Sequence, residues 1–557
     1  MQYEKKKEDS RYGHFLFTNT HEFLMRLPWL HEETNFFSRT ILSYLNHSHD
    51  LQQFLSQDIN IENFKPLIHQ RKSFPFRKEL VENLHNQYNN SDITGFSSSP
   101  SNQNIQLLSR ENTFTVTTGH QLNIFTGPLY FIFKIVSTLK LVQQLKDKFD
   151  NYNFVPIYWM ATEDHDFEEI NHVQLFGKNI HWNTQQTGAV GRYTTANFET
   201  ILLQLKEILG NGVEANQLVC LMENAYRKGK TLSDATRILV HTLFEPYGLV
   251  IIDADQVDFK KIFAPIMSQD IIEQNSFRLI SETNKKLAEL TFNVQATPRE
   301  INFFYLDNQL RERITLEKGR YQVLNTTISF SKESLTTALK NHPERFSPNV
   351  LMRPLYQELI LPNLAYIGGG AEINYWLQLK STADFYGISF PMLILRDSAL
   401  LVSESVLTKW RKLGFSETDL FKNYAHLTSE WMLKQEKKVP DFSDEKNNLT
   451  TLFRQITEKI ANIDSTLKAS AESEYKKCIN GLEVLEQKVF KAEKRKFEQE
   501  LQQIKNLQEK LFPGGKLQER VENFLPFYLK FGHPFIELLY ENFNPLIPAF
   551  HVLTLND

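Results

Sequence analysis

The sequence predicts an α/β protein: a parallel β-sheet covered on both faces, followed by a long α-helical coiled-coil arm. Three observations lead there. Short, continuously apolar runs alternate with helix-compatible segments, the pattern of strands buried on both faces. From about residue 448, apolar residues recur every three to four positions among Lys, Glu and Gln over several heptads. The 557 residues are 41% apolar and 23% charged, ordinary globular usage, and long enough for about three or four domain-sized units.

Residues 1–100 read as helical and polar, with Phe36, Phe37, Ile41, Leu45, Leu51, Phe54 and Leu55 at helical spacing. Residues 89–103, rich in Ser and Asn and holding Gly95 and Pro100, read as a loop. The β-branched run at 114–118 is a strand that ends at Gly119, and 128–145 is a helix. The run 154–161 is a buried strand with a charged cluster directly behind it. Residues 248–253 and 390–396 are further strands, each closed by a charged residue. Segments at about 178–235 and 285–345 break this rhythm and are read as insertions. In the arm, Leu449, Phe453, Ile456, Ile460, Ile463, Leu467, Ala471, Cys478, Leu482, Leu485, Val489 and Ala492 form the apolar stripe. A cap at Asp464-Ser465 leaves both a rod and a hairpin open. The arm stops at Pro513-Gly514-Gly515. The aromatic residues beyond it are expected to pack back on the core.

Charge and composition exclude several classes. A net charge of −4 and a pI near 6.5 argue against a broad nucleic-acid face. The first fifteen residues mix both charge signs and lack the apolar core of a signal peptide. No stretch approaches the ~18 apolar residues of a membrane span. Cys220 and Cys478 are too few for a Cys-rich zinc site and read as structural. The expectation is a reduced, cytoplasmic protein with no nucleic-acid or membrane partner. Gly229-Lys230-Thr231 mimics the end of a P-loop, but Asn224 stands where its first glycine belongs and no strand leads in.

Ligands of such sheets sit beyond the strand C-termini, so the polar residues there are the candidates. The first group is Gly119, His120, Gln121, Asn123, Thr126 and Gly127, between a strand and a helix. Its backbone N–H groups are placed to approach an anion at a helix N-terminus. The second is Glu163, Asp164, His165 and Asp166. Five carboxylates and two histidines fall within residues 162–172, suited to binding an amino group or orienting a general base. As a helix start the acids would instead answer the helix dipole, and His165 and Glu169 would share a face. The third is Gly368, Gly369 and Gly370, offering unusual backbone angles, with Glu372, Asn374, Tyr375 and Trp376 after them and Arg353 upstream. The fourth comprises the strand ends Asp253 to Asp255 and 396–398, where Arg396 is the candidate anion clamp. The spacing of an HExxH metal motif is absent.

The segments TTGHQLNIFTGPLYFIFK (117–134), PIYWMATEDHDFEEINH (156–172), YGLVIIDAD (247–255), RPLYQELILPNLAYIGGGAEINYWLQL (353–379) and LFPGGKLQERVENFLPF (511–527) resemble the bacillithiol biosynthesis cysteine-adding enzyme family (BshC). The resemblance implies a Rossmann-like core over 1–404, of the class I synthetase and nucleotidyltransferase kind, with the two insertions. It also implies a coiled-coil domain over 405–511 through which a homodimer forms, and a C-terminal segment 512–557 on the core. The implied reaction joins the carboxyl group of L-cysteine to the amine of glucosaminyl-malate. ATP or another nucleotide would be co-substrate, and no metal is needed for folding. His120 would contact phosphate, the cluster Glu163 to Asp166 would hold an ammonium or deprotonate the amine, and Arg353 or Arg396 would take malate carboxylates. A synthetase-type KMSKS loop is not present; Ser331 to Ser334 is its faint look-alike. A metal-dependent hydrolase built on the acidic cluster, and a coiled-coil scaffold with an inert core, are the alternatives.

Overall fold

The structure, a computed structural model, describes residues 25–434, 442–495 and 497–556. The residues read above as lacking a signal peptide lie outside the described residues. Two compact units emerge. One runs to Leu400 and takes up Gln518–Leu553; the other holds Leu401–Leu517 and Thr554–Asp557.

The landmarks of the first unit, in chain order, begin with strand β1 (Thr113–His120), helix α1 (Tyr130–Lys148), β2 (Asn153–Met160), β3 (Val250–Asp253) and helix α2 (Val257–Glu273). Then come β4 (Phe303–Asp307), β5 (Leu310–Glu317), α3 (Arg353–Ile360), β6 (Asn363–Gly368), α4 (Gly370–Trp376) and β7 (Met392–Leu395). Five of these strands form one parallel sheet in the order β7-β6-β1-β2-β3. Every residue of β1 is buried, as are all but the first of β2, so neither alternates polar and apolar. Phe114, Val116, Phe154, Ile367 and Ile394 pack with Leu141 and Leu145 of α1 and with Phe64 and Ile68 of an N-terminal helix. Connections run from β1 to β2 and β3 on one side, while β6 and β7 lie on the other. Such a reversal opens a crevice beyond the strand C-termini.

Two excursions interrupt the sheet. Between β2 and β3 lie the hairpin His172–Leu175 with Lys178–His181 and the helices Glu199–Leu209, Val213–Ala225 and Leu232–Phe244. Between β3 and β6 a five-stranded antiparallel sheet forms, in which β5 pairs with β4. The loop expected over 89–103 ends earlier than its composition suggests. A helix, Pro100–Leu107, starts there, with the Ser99 hydroxyl accepting the Asn102 N–H at 3.1 Å. Pro100, read as a breaker, occupies the first helical turn, where its missing N–H costs nothing.

The second unit is helical, with helices Glu404–Lys412, Tyr424–Lys434, Ser443–Ala461, Lys468–Arg495 and Glu498–Leu511. Ser443–Ala461 and Lys468–Arg495 form an antiparallel hairpin, with Lys446 on Glu486 at 2.6 Å and Phe453 against Tyr475. A hairpin, not a rod, is therefore what the cap at 464–465 marks. Cys478 and Cys220 are both exposed free thiols, a correction to their reading as structural residues. A helix with one packed flank leaves its other flank wet. Among the described residues no helix is long and apolar enough to cross a membrane.

Candidate active site

A cavity of about 610 Å³ opens at the C-terminal ends of the parallel strands. Its walls come from the end of β1, the start of α1, the segment after β2, β5, the start of α3, the β6–α4 turn, Arg396 after β7, and Arg520. Twelve candidates from the sequence line it: Gly119, His120, Gln121, Glu163, Asp164, His165, Arg353, Gly369, Gly370, Glu372, Tyr375 and Arg396.

Seven candidates do not. Asp166 points to solvent just before a single 3-10 turn, Phe167–Glu169. No α-helix starts here, so the dipole reading and the shared face of His165 and Glu169 both fall. Asn123 donates to the Glu169 carbonyl at 3.1 Å, and Thr126 is buried in the turn. Gly127 has φ +65°, and a Cβ there would sit 2.5 Å from that of Asn123. Trp376 is buried against Tyr366 and Phe390, and Asn374, two residues earlier, is buried too. Gly368 closes β6, where a Cβ would come within 3.1 Å of Tyr366 and Glu372.

Two expectations about glycine are corrected. The N–H groups of 124–127 are spent inside the protein, on Ile170, Tyr226, Asn123 and Ile124, and that of Leu129 on Glu522. None remains for an anion, so only Gly119 to Gln121 of that loop serve the cavity. The triplet Gly368–Gly370 holds no positive φ. Close packing explains two of these glycines: a Cβ on Gly370 would lie 3.2 Å from Ile41.

The carboxylates have contrasting surroundings. Burial pushes the proton affinity of Glu163 up, against the opposing charge of Lys260, which forms an ion pair with it and is itself fully buried. Burial acts on Asp164 too, but hydrogen bonds from His165 and Gln121 and the charge of Arg311 prevail and hold it far below the carboxylate range. Gln121 Nε2 donates to Asp164 at 2.9 Å and the His165 N–H at 2.8 Å. Arg311 approaches His165 Nδ1 at 2.7 Å. A guanidinium only donates, so Nδ1 accepts and the ring proton sits on Nε2. Asp164 lies 3.7 Å from the same nitrogen, too far for a hydrogen bond.

The opposite wall is basic. Burial holds the His120 imidazole well below its ordinary value, and Lys134 and Arg396 push the same way. Its buried Nε2 has no hydrogen-bond partner among the described residues. Lys134 donates to the Gly119 carbonyl and pairs with Glu372, both at 2.5 Å. Glu372 also accepts from the Tyr366 hydroxyl at 2.6 Å and the Gly369 N–H at 2.8 Å. Burial would raise Glu372, but Lys134 keeps it below its usual value. Arg396 is held by the buried Glu519 and the Asp397 carbonyl. Sequence reasoning missed Lys134, Lys260, Arg311, Glu519 and Tyr366. One signal was available: a lysine inside an apolar helical run demands a buried partner. The KMSKS look-alike is a helix cap, the Ser331 hydroxyl accepting from Ser334 N at 3.2 Å.

Residues 25–397 match the family model described as "Bacillithiol biosynthesis BshC, N-terminal Rossmann-like domain", and 399–555 the model of its C-terminal coiled-coil domain. A relative from Flavobacterium johnsoniae named "Putative cysteine ligase BshC" is 44% identical over 94% of this chain and 99% of its own. Relatives of the same name from Flavobacterium psychrophilum and Christiangramia forsetii are each 42% identical over 94% of this chain and 98% of theirs. A methionyl-tRNA synthetase from Mycobacterium tuberculosis, solved with methionyl-adenylate, is 10% identical over 78% of this chain and 92% of that one. Its TM-score of 0.23 carries no inference. With both of its parts matched, and with relatives aligned over nearly their whole length, the chain belongs to the BshC family of bacillithiol biosynthesis.

Proposed function

We propose that this protein is a ligase that joins the carboxyl group of L-cysteine to the amino group of glucosaminyl-malate, the last step of bacillithiol synthesis, with nucleotide activation. Family membership supports the reaction class, since the relatives are named as cysteine ligases. The observation that carries the assignment to this cavity is the adjacent pair Glu163 and Asp164, whose proton affinities their surroundings push apart. Asp164, locked as an anion, fits the ammonium group of cysteine. Glu163, raised by burial and balanced by Lys260, fits the base that takes the proton the attacking amine must lose. His165, with its lone pair engaged by Arg311, serves as an Nε2–H donor.

A nucleoside triphosphate fits the basic wall: His120 Nε2 lacks a partner, and the Arg520 side chain forms no hydrogen bond or ion pair among the described residues. When bound, such a nucleotide supplies the leaving group that a carboxylate lacks, and one cysteine carboxyl oxygen departs with its phosphate. His120 and Arg520 would hold phosphate oxygens, and Tyr130 and Arg396 would shape the wall behind them. The acidic cluster is a poor metal site, because Glu163 is committed to Lys260 and His165 Nδ1 to Arg311. Exposed Leu452, Ile463, Leu467, Val484 and Leu485 on the hairpin support a homodimer, expected in light scattering at twice 65.3 kDa.

The direct test supplies purified protein with cysteine, glucosaminyl-malate and ATP, and follows the amide product by mass spectrometry. Product formation with matching nucleotide consumption is expected. Absence of product with any nucleoside triphosphate overturns the reading.

A further inference from the structure

Seven basic side chains line the cavity against three carboxylates. Most of that positive charge is already answered. Lys134 is paired with Glu372 and Arg396 with Glu519. Arg353 donates to Gln357 at 3.0 Å and to Tyr375 at 3.4 Å. Arg311 holds His165, donates to the Pro348 carbonyl at 3.2 Å and lies 4.0 Å over the Phe304 ring. The sequence assigned anion binding to Arg353 and Arg396, yet both are committed inside the protein.

Three cavity-lining arginines keep side chains with no hydrogen bond or ion pair among the described residues: Arg299, Arg313 and Arg520. Arg520 acts on Tyr130 together with Arg396, on the wall assigned above to phosphate. Arg299 and Arg313 come from the antiparallel subdomain instead. Arg313 lies opposite Phe304 in the β4–β5 register, and Arg311 opposite Leu306. Period two places Arg311 and Arg313 on the same face of β5, with Cα atoms about 7 Å apart. Arg313 is thus one side chain's reach from the residue that holds His165, next to the acidic pair. Uncompensated like charges facing one space repel, and an anionic ligand relieves that repulsion.

We propose that Arg299 and Arg313 are the residues that receive the two carboxylates of the acceptor amine. This rests on the reading that an amine is acylated beside Glu163. A substrate whose amine meets Glu163 would extend its anionic end onto this strand, and a guanidinium fork matches a carboxylate with two parallel hydrogen bonds. Polyphosphate is the other polyanion that such forks take, and the test separates the two.

The experiment measures binding of L-malate and of ATP, separately, to wild type and to R299Q/R313Q by calorimetry, together with KM for each substrate. Malate affinity is expected to fall at least about tenfold, and KM for the acceptor to rise as much, while ATP binding holds. The variant R313K keeps the charge but loses the fork, and is expected to lose several-fold in malate affinity with an unchanged melting temperature. Loss of ATP affinity with malate unaffected overturns the proposal, as does wild type that fails to bind malate at millimolar concentration. If wild type binds malate through these arginines yet makes no amide, the ligase reading fails and the subsite stands.

Discussion

Glu163 and Asp164 share a sequence neighbourhood and differ in everything around it. One faces a buried ammonium; the other is wrapped by N–H donors from Gln121 and residues 165 and 166. Replacing Asp164 by Asn keeps the shape and removes the charge, so amide formation is expected to drop at least about 100-fold with the fold intact by circular dichroism. Asp166→Asn is the control; its side chain is outside the cavity, and turnover within about twofold of wild type is expected. The sequence made this cluster visible but not the division of labour within it. Composition shows how many acids stand together. Which of them is neutralised depends on Lys260 and Arg311, some hundred residues or more downstream in other elements. Gly119 is a plainer case. A Cβ there would lie 3.1 Å from the Tyr366 hydroxyl, which donates to Glu372. Gly119→Ala should displace that hydroxyl and destabilise the protein by about 1–3 kcal/mol, read as a lowered melting temperature.

Among elements, the parallel strands were legible because burial on both faces writes an uninterrupted apolar run, and their polar ends followed. The antiparallel subdomain was legible only as a break in rhythm. Its strand β5, LRERITLE, carries charges on both faces, and Glu312 interrupts the apolar alternation of Leu310, Ile314 and Leu316. That is why Arg311 and Arg313 escaped notice. Glycine punctuation at 119–127 suggested a phosphate cradle, but the turn's own hydrogen bonds use its N–H groups, and periodicity does not reveal them. Helix α2 joins these elements, since its Lys260 reaches Glu163 and donates to the Phe346 carbonyl at 2.6 Å. Lys260→Met would strand a buried carboxylate and is expected to cost about 3–5 kcal/mol in chemical denaturation, with most of that recovered in Lys260→Met/Glu163→Leu. Equal stability of both variants would remove α2 from this role.

For the molecule as a whole, buried titratable groups set the pH range of the first unit. Burial lowers His31 and His241 to about 4, against an ordinary 6.5. Between those values the unfolded chain binds more protons, so stability falls as pH drops through the window, by about 3 kcal/mol for each histidine. Glu522 runs the other way. Burial raises it to about 7, so the unfolded chain releases its proton first, and stability falls by about 2–3 kcal/mol as pH rises from 4.5 to 7. Together these three groups leave a net rise in stability up to about pH 7 and a plateau above it. Thermal melts from pH 5 to 8 should show His241→Gln flattening the acid limb and Glu522→Gln steepening it; an unchanged limb would remove these groups from the account.

The bracing of the 123–129 turn carries a consequence for biogenesis. Asn523 donates to the Phe125 carbonyl at 2.9 Å and to that of Gly127, Glu522 accepts the Leu129 N–H at 2.7 Å, and Glu519 anchors Arg396. Translation begins at the other terminus, so these props leave the ribosome only after every strand they steady. Until then the nascent polypeptide holds its cavity side chains on an unsupported scaffold, and a prematurely terminated product that lacks residues 519–523 is expected to be inert rather than partly active.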